Sequence, residues 1–265
     1  MEENDLYNEK EIISKWIADM YERSETDVSD VKLALSMIGA APKRVLEIAC
    51  GSGRILVPLA EAGHIVTGLD FDEYMLNKIS AKSAGLQNIS WKKSDAMQDD
   101  WGEGYDVVML AGNFLFNIVT DMNYAQAQAL VIEKAANALT PGGHLFIDYG
   151  YTPHPEIWFA HEGENVVWQG ADSDGNTGKM ALCDGSYDSK TGLYRFLRRF
   201  ELVLSDGTVV RQEIPSVKHF ATLEQIHSWL NVSGFAVEEE YGDYACSAIS
   251  ETTNRAIIWA RKEQR

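Results

Sequence analysis

The chain has 265 residues, with 23 Lys and Arg against 40 Asp and Glu, for a formal net charge of −17 at pH 7. Long polyanions are held by clustered Lys and Arg that displace counterions, so this balance excludes nucleic acid as the expected partner. A hydrophobic fraction of 45% is too high for a disordered chain, and no apolar run approaches the roughly 18 residues of a membrane span, so no membrane partner is expected.

The apolar spacing between Glu9 and Ile38 predicts two helices, one carrying Ile12, Ile13, Trp16, Ile17 and Met20, the other Val31, Leu33, Leu35 and Met37. The polar Ser24-Glu25-Thr26-Asp27 separates them. A short buried strand over Arg44 to Ala49 runs into Gly51-Ser52-Gly53 and then a helix from Arg54 to about Ala62, which Gly63 is placed to cap. Strand, helix and strand follow at Ile65–Asp70, Glu73–Ala84 and Ile89–Lys92. Tyr105–Ala111 predicts a fourth strand, about Met122–Leu139 a long helix and His144–Tyr149 a fifth strand. This alternation specifies an α/β fold, a parallel sheet with helices on both faces.

After Tyr151 the pattern changes. Asn165 to His219 holds β-rich runs parted by the hairpin signals Asp174-Gly175-Asn176, Asp184-Gly185, Asp188 to Gly192 and Ser205-Asp206-Gly207, which predict an inserted antiparallel β meander. Arg198 and Arg199 read as exposed strand. A last helix (Leu223–Val232) and two strands (Phe235–Tyr241, Arg255–Ala260) return to the α/β pattern. The expected organisation is a helical lid over 1–40, a ligand-binding domain over 41–151 and 220–265, and the meander over 152–219. Cys50, Cys183 and Cys246 form no CxxC or metal-ligand pattern. They read as free thiols, no metal is expected, and the acidic start lacks the basic and apolar regions of a signal peptide. A cytoplasmic location follows as an expectation.

The chemistry is concentrated in Val45-Leu46-Glu47-Ile48-Ala49-Cys50-Gly51-Ser52-Gly53-Arg54. A strand that ends in Gly-x-Gly and turns into a helix brings bare backbone to a ligand at the carboxyl edge of the sheet. A dinucleotide-binding turn would place a third Gly at position 56, where this chain has Leu56. Glu47 lies inside the first strand, and Asp70 ends the second, where a carboxylate can accept both hydrogen bonds of a ribose diol.

These residues resemble motif I and the ribose-binding acid of class I S-adenosylmethionine-dependent methyltransferases. The family's first small residue is Ala49 here. Ser94-Asp95-Ala96 after the third strand and Leu139-Thr140-Pro141-Gly142-Gly143 before the fifth continue the match. The resemblance implies a Rossmann-like sheet of seven strands, the last antiparallel, and S-adenosylmethionine as cofactor. It assigns Glu47, Ala49, Gly51, Gly53, Asp70, Phe71, Met75, Asp95, Ala96, Ala111 and Gly112 to cofactor binding. Ala111-Gly112-Asn113-Phe114, followed by the fifth strand and a meander, is similar to glycine N-methyltransferases and amino-sugar N,N-dimethyltransferases. The Arg that glycine N-methyltransferases carry just after the fifth strand is missing, because Asp148 is followed by Tyr149-Gly150.

Methyl transfer is an in-line displacement from a sulfonium, so it needs alignment in a dry pocket more than a nucleophilic side chain. The acceptor must present a lone pair, which a base can help to expose. Asn113, Tyr21 and His219 are the expected acceptor-side residues, with Tyr7, Trp16, Asn117, Asp148, Tyr149, Tyr151, His154, Arg211 and Glu213 as weaker candidates. The end of the fourth strand lacks the Pro-Pro-aromatic motif of amino-directed base methyltransferases, which again excludes nucleic acid. The expected activity is methylation of a small-molecule acceptor, amine slightly preferred over hydroxyl. The alternative is a cofactor-binding sensor or assembly subunit without turnover. The meander is expected to close over the acceptor or to pair two copies as a homodimer.

Overall fold

The structure is a computed structural model that describes residues 3–159 and 161–264, without the side chains of 3–8, 161 and 162. Its strands are β1 (Arg44–Ile48), β2 (Ile65–Asp70), β3 (Ile89–Lys93), β4 (Tyr105–Leu110), β5 (Leu139–Tyr149), β6 (His161–Ala171), β7 (Thr177–Asp188), β8 (Leu193–Val203), β9 (Val209–His219), β10 (Phe235–Tyr241) and β11 (Ala256–Lys262). The helices are α1 (Glu3–Ser24), α2 (Ser29–Ile38), α3 (Leu56–Glu61), α4 (Glu73–Leu76), α5 (Ile79–Lys82), α6 (Phe114–Asn117), α7 (Tyr124–Ala138), α8 (Pro155–Phe159) and α9 (Leu223–Val232). None of the described helices is long and apolar enough to cross a membrane.

The chain divides into two compact units, one of Val28–Pro153 with His219–Arg265, the other of Met1–Asp27 with His154–Lys218. The first holds a seven-stranded sheet in the order β10-β11-β5-β4-β1-β2-β3. Strands β3, β2, β1, β4 and β5 run parallel, and β11 is antiparallel to both β5 and β10. The expected seven-stranded class I sheet with its last strand reversed is therefore what forms. Central strands read as near-continuous apolar runs because helices cover both faces. Val45, Leu46, Ile48, Val108, Met109 and Leu110 are fully buried.

The second unit is an antiparallel sheet in the order β6-β7-β8-β9. Its apolar face packs under α1, where Ile13, Trp16 and Met20 meet Met180, Phe200, Leu202 and Val210. Burying that face gives the meander a core of its own. Helices α1 and α2, read together as one 1–40 segment, fall in different units.

Three local expectations are corrected. The predicted helix over Glu73–Ala84 is two short helices, α4 and α5, with the side chain of Asp72 capping the first through the Tyr74 and Met75 N–H groups. Thr140 to Gly143 lie within β5 rather than before it, and the pairing with β4 slips between Tyr105 and Val107. Asp184-Gly185 is not a hairpin turn. It sits inside β7 where the register with β8 shifts between Cys183 and Ser186, and Asp184 takes φ 55°, which Asp tolerates.

Candidate cofactor and active site

The sheet order puts the ends of β4, β1, β2 and β3 side by side. Ala49 to Gly53, Asp70 to Met75, Asp95-Ala96 and Ala111 to Asn113 follow those four strand ends, so the fold gathers residues far apart in sequence along one carboxyl edge. The backbone at this edge is unusual: Ala49, Gly51, Gly53, Gly112 and Asn113 all have positive φ, at 57°, 53°, 80°, 58° and 60°. Non-glycine residues enter this region at a cost, and such residues cluster at functional sites. Gly68, opposite Glu47 in the β1–β2 register, has no room for a side chain, since a Cβ there would lie 2.6 Å from Cys50 Sγ.

Asp70 organises the turn. Its Oδ2 accepts the Gly51 N–H and its Oδ1 the Asp72 N–H, both at 2.8 Å, while its carbonyl accepts the Ser94 N–H at 2.8 Å. One residue thus ties together the segments after β1, β2 and β3. Burial pushes its carboxyl above the usual range, partly offset by the Asp72 and Gly51 N–H groups. Lys82 Nζ holds the turn from the other side through Ser52, at 3.0 Å to the carbonyl and 3.2 Å to Oγ.

Glu47 is 3% exposed, and its buried Oε2 has no hydrogen-bond partner among the described residues. Burial drives its carboxyl well above the ordinary range. Arg54 opposes that rise, while Asp30 and Asp70 add to it. Arg54 is held by Asp30 at the start of α2, with Nη1 donating to Oδ1 at 2.8 Å and Nη2 to Oδ2. A buried carboxylate oxygen lacking a donor, beside bare backbone, fits a cationic ligand group that supplies the missing partner.

At the neighbouring edge, Asn113 bridges β4 and β5. Its N–H donates to the Asp148 carbonyl at 3.1 Å and its Oδ1 accepts the Gly150 N–H at 3.0 Å. The Asp148 side chain is buried, paired with Arg255 and accepting from Tyr244 Oη at 2.9 Å, with the Arg255 guanidinium 4.7 Å from the Tyr244 ring centre. Burial raises the Asp148 carboxyl, and Arg255 and Tyr244 act against the rise. His219 is buried with Nδ1 2.7 Å from Gln128 Oε1. Gln128 Nε2 donates to the Leu115 and His219 carbonyls, so Oε1 is the acceptor facing the ring and the His219 proton sits on Nδ1. Burial lowers the His219 pKa, leaving a neutral imidazole whose Nε2 keeps its lone pair.

Residues 45–143 match the model of a methyltransferase domain. This stretch carries a methyltransferase domain. A relative named as a methyltransferase, from Geobacillus sp. (strain WCH70), is 25% identical over 222 residues, covering 83% of this chain and 85% of that protein. Among solved structures, the fold is similar to the CcbJ methyltransferase from Streptomyces caelestis, with TM-score 0.70 and 21% identity over 94% of this chain and 96% of that one. It is also similar to CalS10 of Micromonospora echinaspora, an amino pentose methyltransferase with S-adenosylmethionine bound, with TM-score 0.58 and 18% identity over 89% of each chain.

Within the methyltransferase domain the eleven residues read as cofactor-binding differ in environment. Glu47, Asp70 and Ala111 are buried, Met75 and Ala96 half-buried, and Asp95, Phe71 and Gly112 exposed. Asp95 accepts the Met97 N–H through Oδ1 at 2.8 Å, and the Ala96 carbonyl is pinned by Trp101 Nε1 and Lys134 Nζ. Trp16 is core, fully buried with Nε1 donating to the Gly170 carbonyl. Tyr21 lies half-buried on α1 in the four-stranded unit. The side chain of Tyr7 lies outside the described residues. Tyr149 is buried, with Oη accepting the Ala221 N–H, and Tyr151 stacks on Phe220 at 6.0 Å. Asn117 and His154 are exposed, Arg211 is 74% exposed at the side chain, and Glu213 accepts from Arg199. The sequence pointed to none of Asp30, Tyr244, Arg255 or Gln128 as partners of these groups, because each comes from an element distant in the chain, and Arg54, beside the glycine turn, was read only as the start of a helix.

Proposed function

We propose that this protein transfers the methyl group of S-adenosylmethionine to a small-molecule acceptor, with an amine favoured over a hydroxyl. The observation that carries the reading is the buried, partnerless oxygen of Glu47 beside a turn that Asp70 anchors. Glu47, Asp70 and the backbone of Ala49 to Gly53 would hold the cofactor, which supplies an electrophilic methyl on a cationic sulfur. The carboxylates favour a cation, the buried edge excludes water, and the Gly turn allows close backbone approach.

On the acceptor side, Asn113 acts by fixing the β4 and β5 ends at which the acceptor is to be positioned. His219 has the right tautomer to take a proton at Nε2, and its lowered pKa keeps that nitrogen available at neutral pH. Tyr21 is proposed as an acceptor-side residue from its sequence position. The preference for nitrogen draws on the likeness to the amino pentose methyltransferase. We assign acceptor recognition to the inserted strands 152–219, with 1–40 as the helical lid and homodimer pairing as the competing role of the meander.

The reading is tested by incubating the protein and S-adenosylmethionine with a library of metabolite amines and alcohols and measuring S-adenosylhomocysteine. Turnover with one acceptor class, lost in Asp70→Ala, is expected. Tight cofactor binding with no product from any acceptor would favour the sensor reading instead.

A further inference from the structure

Helix α7 turns Ala127, Val131, Ile132 and Ala135 into the core, and Gln128 goes in with them at 1% exposed. A buried amide is costly unless its polar atoms are paired, and those of Gln128 are. Its Nε2 donates to the Leu115 carbonyl at 2.9 Å and to the His219 carbonyl at 3.1 Å, while its Oε1 lies 2.7 Å from His219 Nδ1. Turning the amide over would set its oxygen against two carbonyl oxygens, so the network admits one orientation. Oε1 accepts, and the His219 proton is held on Nδ1.

The surrounding bonds also place the ring. Leu115 lies on α6, two residues after Asn113, whose N–H and Oδ1 tie the end of β4 to the end of β5 through Asp148 and Gly150. Ala221, two residues after His219, donates its N–H to Tyr149 Oη on β5 at 2.7 Å. His219 is therefore fastened to both strand ends at which the acceptor-side residues gather, and all of these groups belong to the seven-stranded unit. Among the described residues its Nε2 has no hydrogen-bond partner. A carboxylate in the place of Gln128 would fix the same tautomer but would favour the imidazolium. The neutral amide fixes the proton without adding charge. Burial is what lowers the His219 pKa, no charged side chain among the described residues adds to it or opposes it, and Tyr149 is the titratable group bonded to this segment.

We propose that Gln128 is a positioning residue that locks His219 with Nδ1 protonated and so leaves the Nε2 lone pair to take the proton of the methyl acceptor. The proton-accepting half of this assignment rests on the methyl-transfer reading, whereas the lock does not. As the acceptor's lone pair takes the methyl and sulfur keeps the electron pair of the broken carbon–sulfur bond, the acceptor's proton passes to Nε2. The ring becomes an imidazolium whose Nδ1–H still donates to Gln128.

The lock is tested on the ligand-free, isotopically labelled protein by two-dimensional nitrogen NMR of the histidine rings, with the His219 signals assigned from His219→Asn. Wild type should show a protonated Nδ1 and an unprotonated Nε2 at neutral pH. Gln128→Met removes the acceptor, and the single tautomer should be lost. Gln128→Glu keeps an acceptor and adds charge, so it should keep the tautomer while raising the His219 titration midpoint by about 1 pH unit. Circular dichroism checks folding, and the wild-type spectrum decides the matter where a variant fails to fold. Wild type protonated on Nε2, or an unmoved midpoint in Gln128→Glu, overturns the lock.

With the acceptor found by the S-adenosylhomocysteine assay, Gln128→Met should lower kcat ~10-fold or more and leave KM for S-adenosylmethionine unchanged. The acid limb of the Gln128→Glu rate profile should move to higher pH, with kcat recovering above it. The double variant Gln128→Met/His219→Asn should be no slower than His219→Asn alone. Full activity in Gln128→Met, or additive losses in the double variant, overturns the proton-accepting role. If no acceptor in the library is turned over, that role falls with the methyl-transfer reading, and the NMR result still decides the lock.

Discussion

The buried charge of the seven-stranded unit is mostly acid, whereas the four-stranded unit buries Asp172 and keeps Arg198 and Lys218 half-buried on its apolar face. In the first, Glu47, Asp70, Asp30 and Asp148 lie inside, with Arg54 holding Asp30 and Arg255 holding Asp148. In the second, Arg198 and Lys218 share the apolar face, Glu164, Glu201 and Glu213 pair with cations on the other, and the buried Asp172 accepts the Asp174 and Asn176 N–H groups. The protein's net charge of −17 conceals this division. A surface total says little about a pocket, because desolvated groups act on a ligand far more strongly than screened ones. The acid-lined edge suits a cationic ligand group.

The strongest way to break the acidic half of this contrast is to remove one of its cations. Arg255→Met leaves Asp148 buried without its countercharge, and loss of one partner of a buried pair costs about 3–5 kcal/mol. A fall in Tm of roughly 10 °C is expected by differential scanning calorimetry, with a smaller fall for Asp148→Asn. An unchanged melt would mean that the pair does not hold the β5 end.

Asp70→Ala acts on ligand binding through the turn that Asp70 holds. It removes the acceptor of two backbone N–H bonds at the turn, so affinity for S-adenosylhomocysteine should drop ~100-fold, about 2.7 kcal/mol. Calorimetry showing the wild-type affinity in this variant would refute the site.

Glu47 sharpens the contrast through pH. Its folded carboxyl is raised, so the unfolded chain ionises first, near pH 4.3. Wild-type stability is therefore fully present below that pH and is lost as pH rises through the folded value. Glu47→Gln lacks this loss, so its Tm should match wild type in acid and exceed it progressively on the alkaline side. Parallel Tm profiles would show that Glu47 is not held away from its charged form.

Ala49→Gly gives the smallest effect. Relief of a non-glycine residue at φ 57° is worth about 1 kcal/mol and is opposed by the greater freedom of Gly in the unfolded chain. A gain in Tm of at most a few degrees is expected, with cofactor affinity unchanged.

The strand and helix order was legible because apolar period and glycine punctuation are local signals. Glu47, Asp70 and the Gly51-Ser52-Gly53 turn stood out for the same reason. What misled was local too: Asp184-Gly185 carries the residues of a turn, yet the strand continues through it as a bulge because β8 pairs on both sides. Arg198 and Arg199 look alike in sequence, and only strand alternation within a packed sheet sends one to the apolar face and the other to Glu164 and Glu213.

Chain order alone thus determined the α/β class, the inserted meander and the acids nearest the cofactor turn, since each follows from spacing along a few residues. Tertiary structure alone decided which charges meet. Asp30 finds Arg54, Asp148 finds Arg255 and Tyr244, His219 finds Gln128, and Arg198 comes to act on Lys218, across separations of about 20 to more than 100 residues. Such partnerships depend on burial and on sheet order, neither of which has a local signature, and they set which groups are charged and which proton His219 keeps.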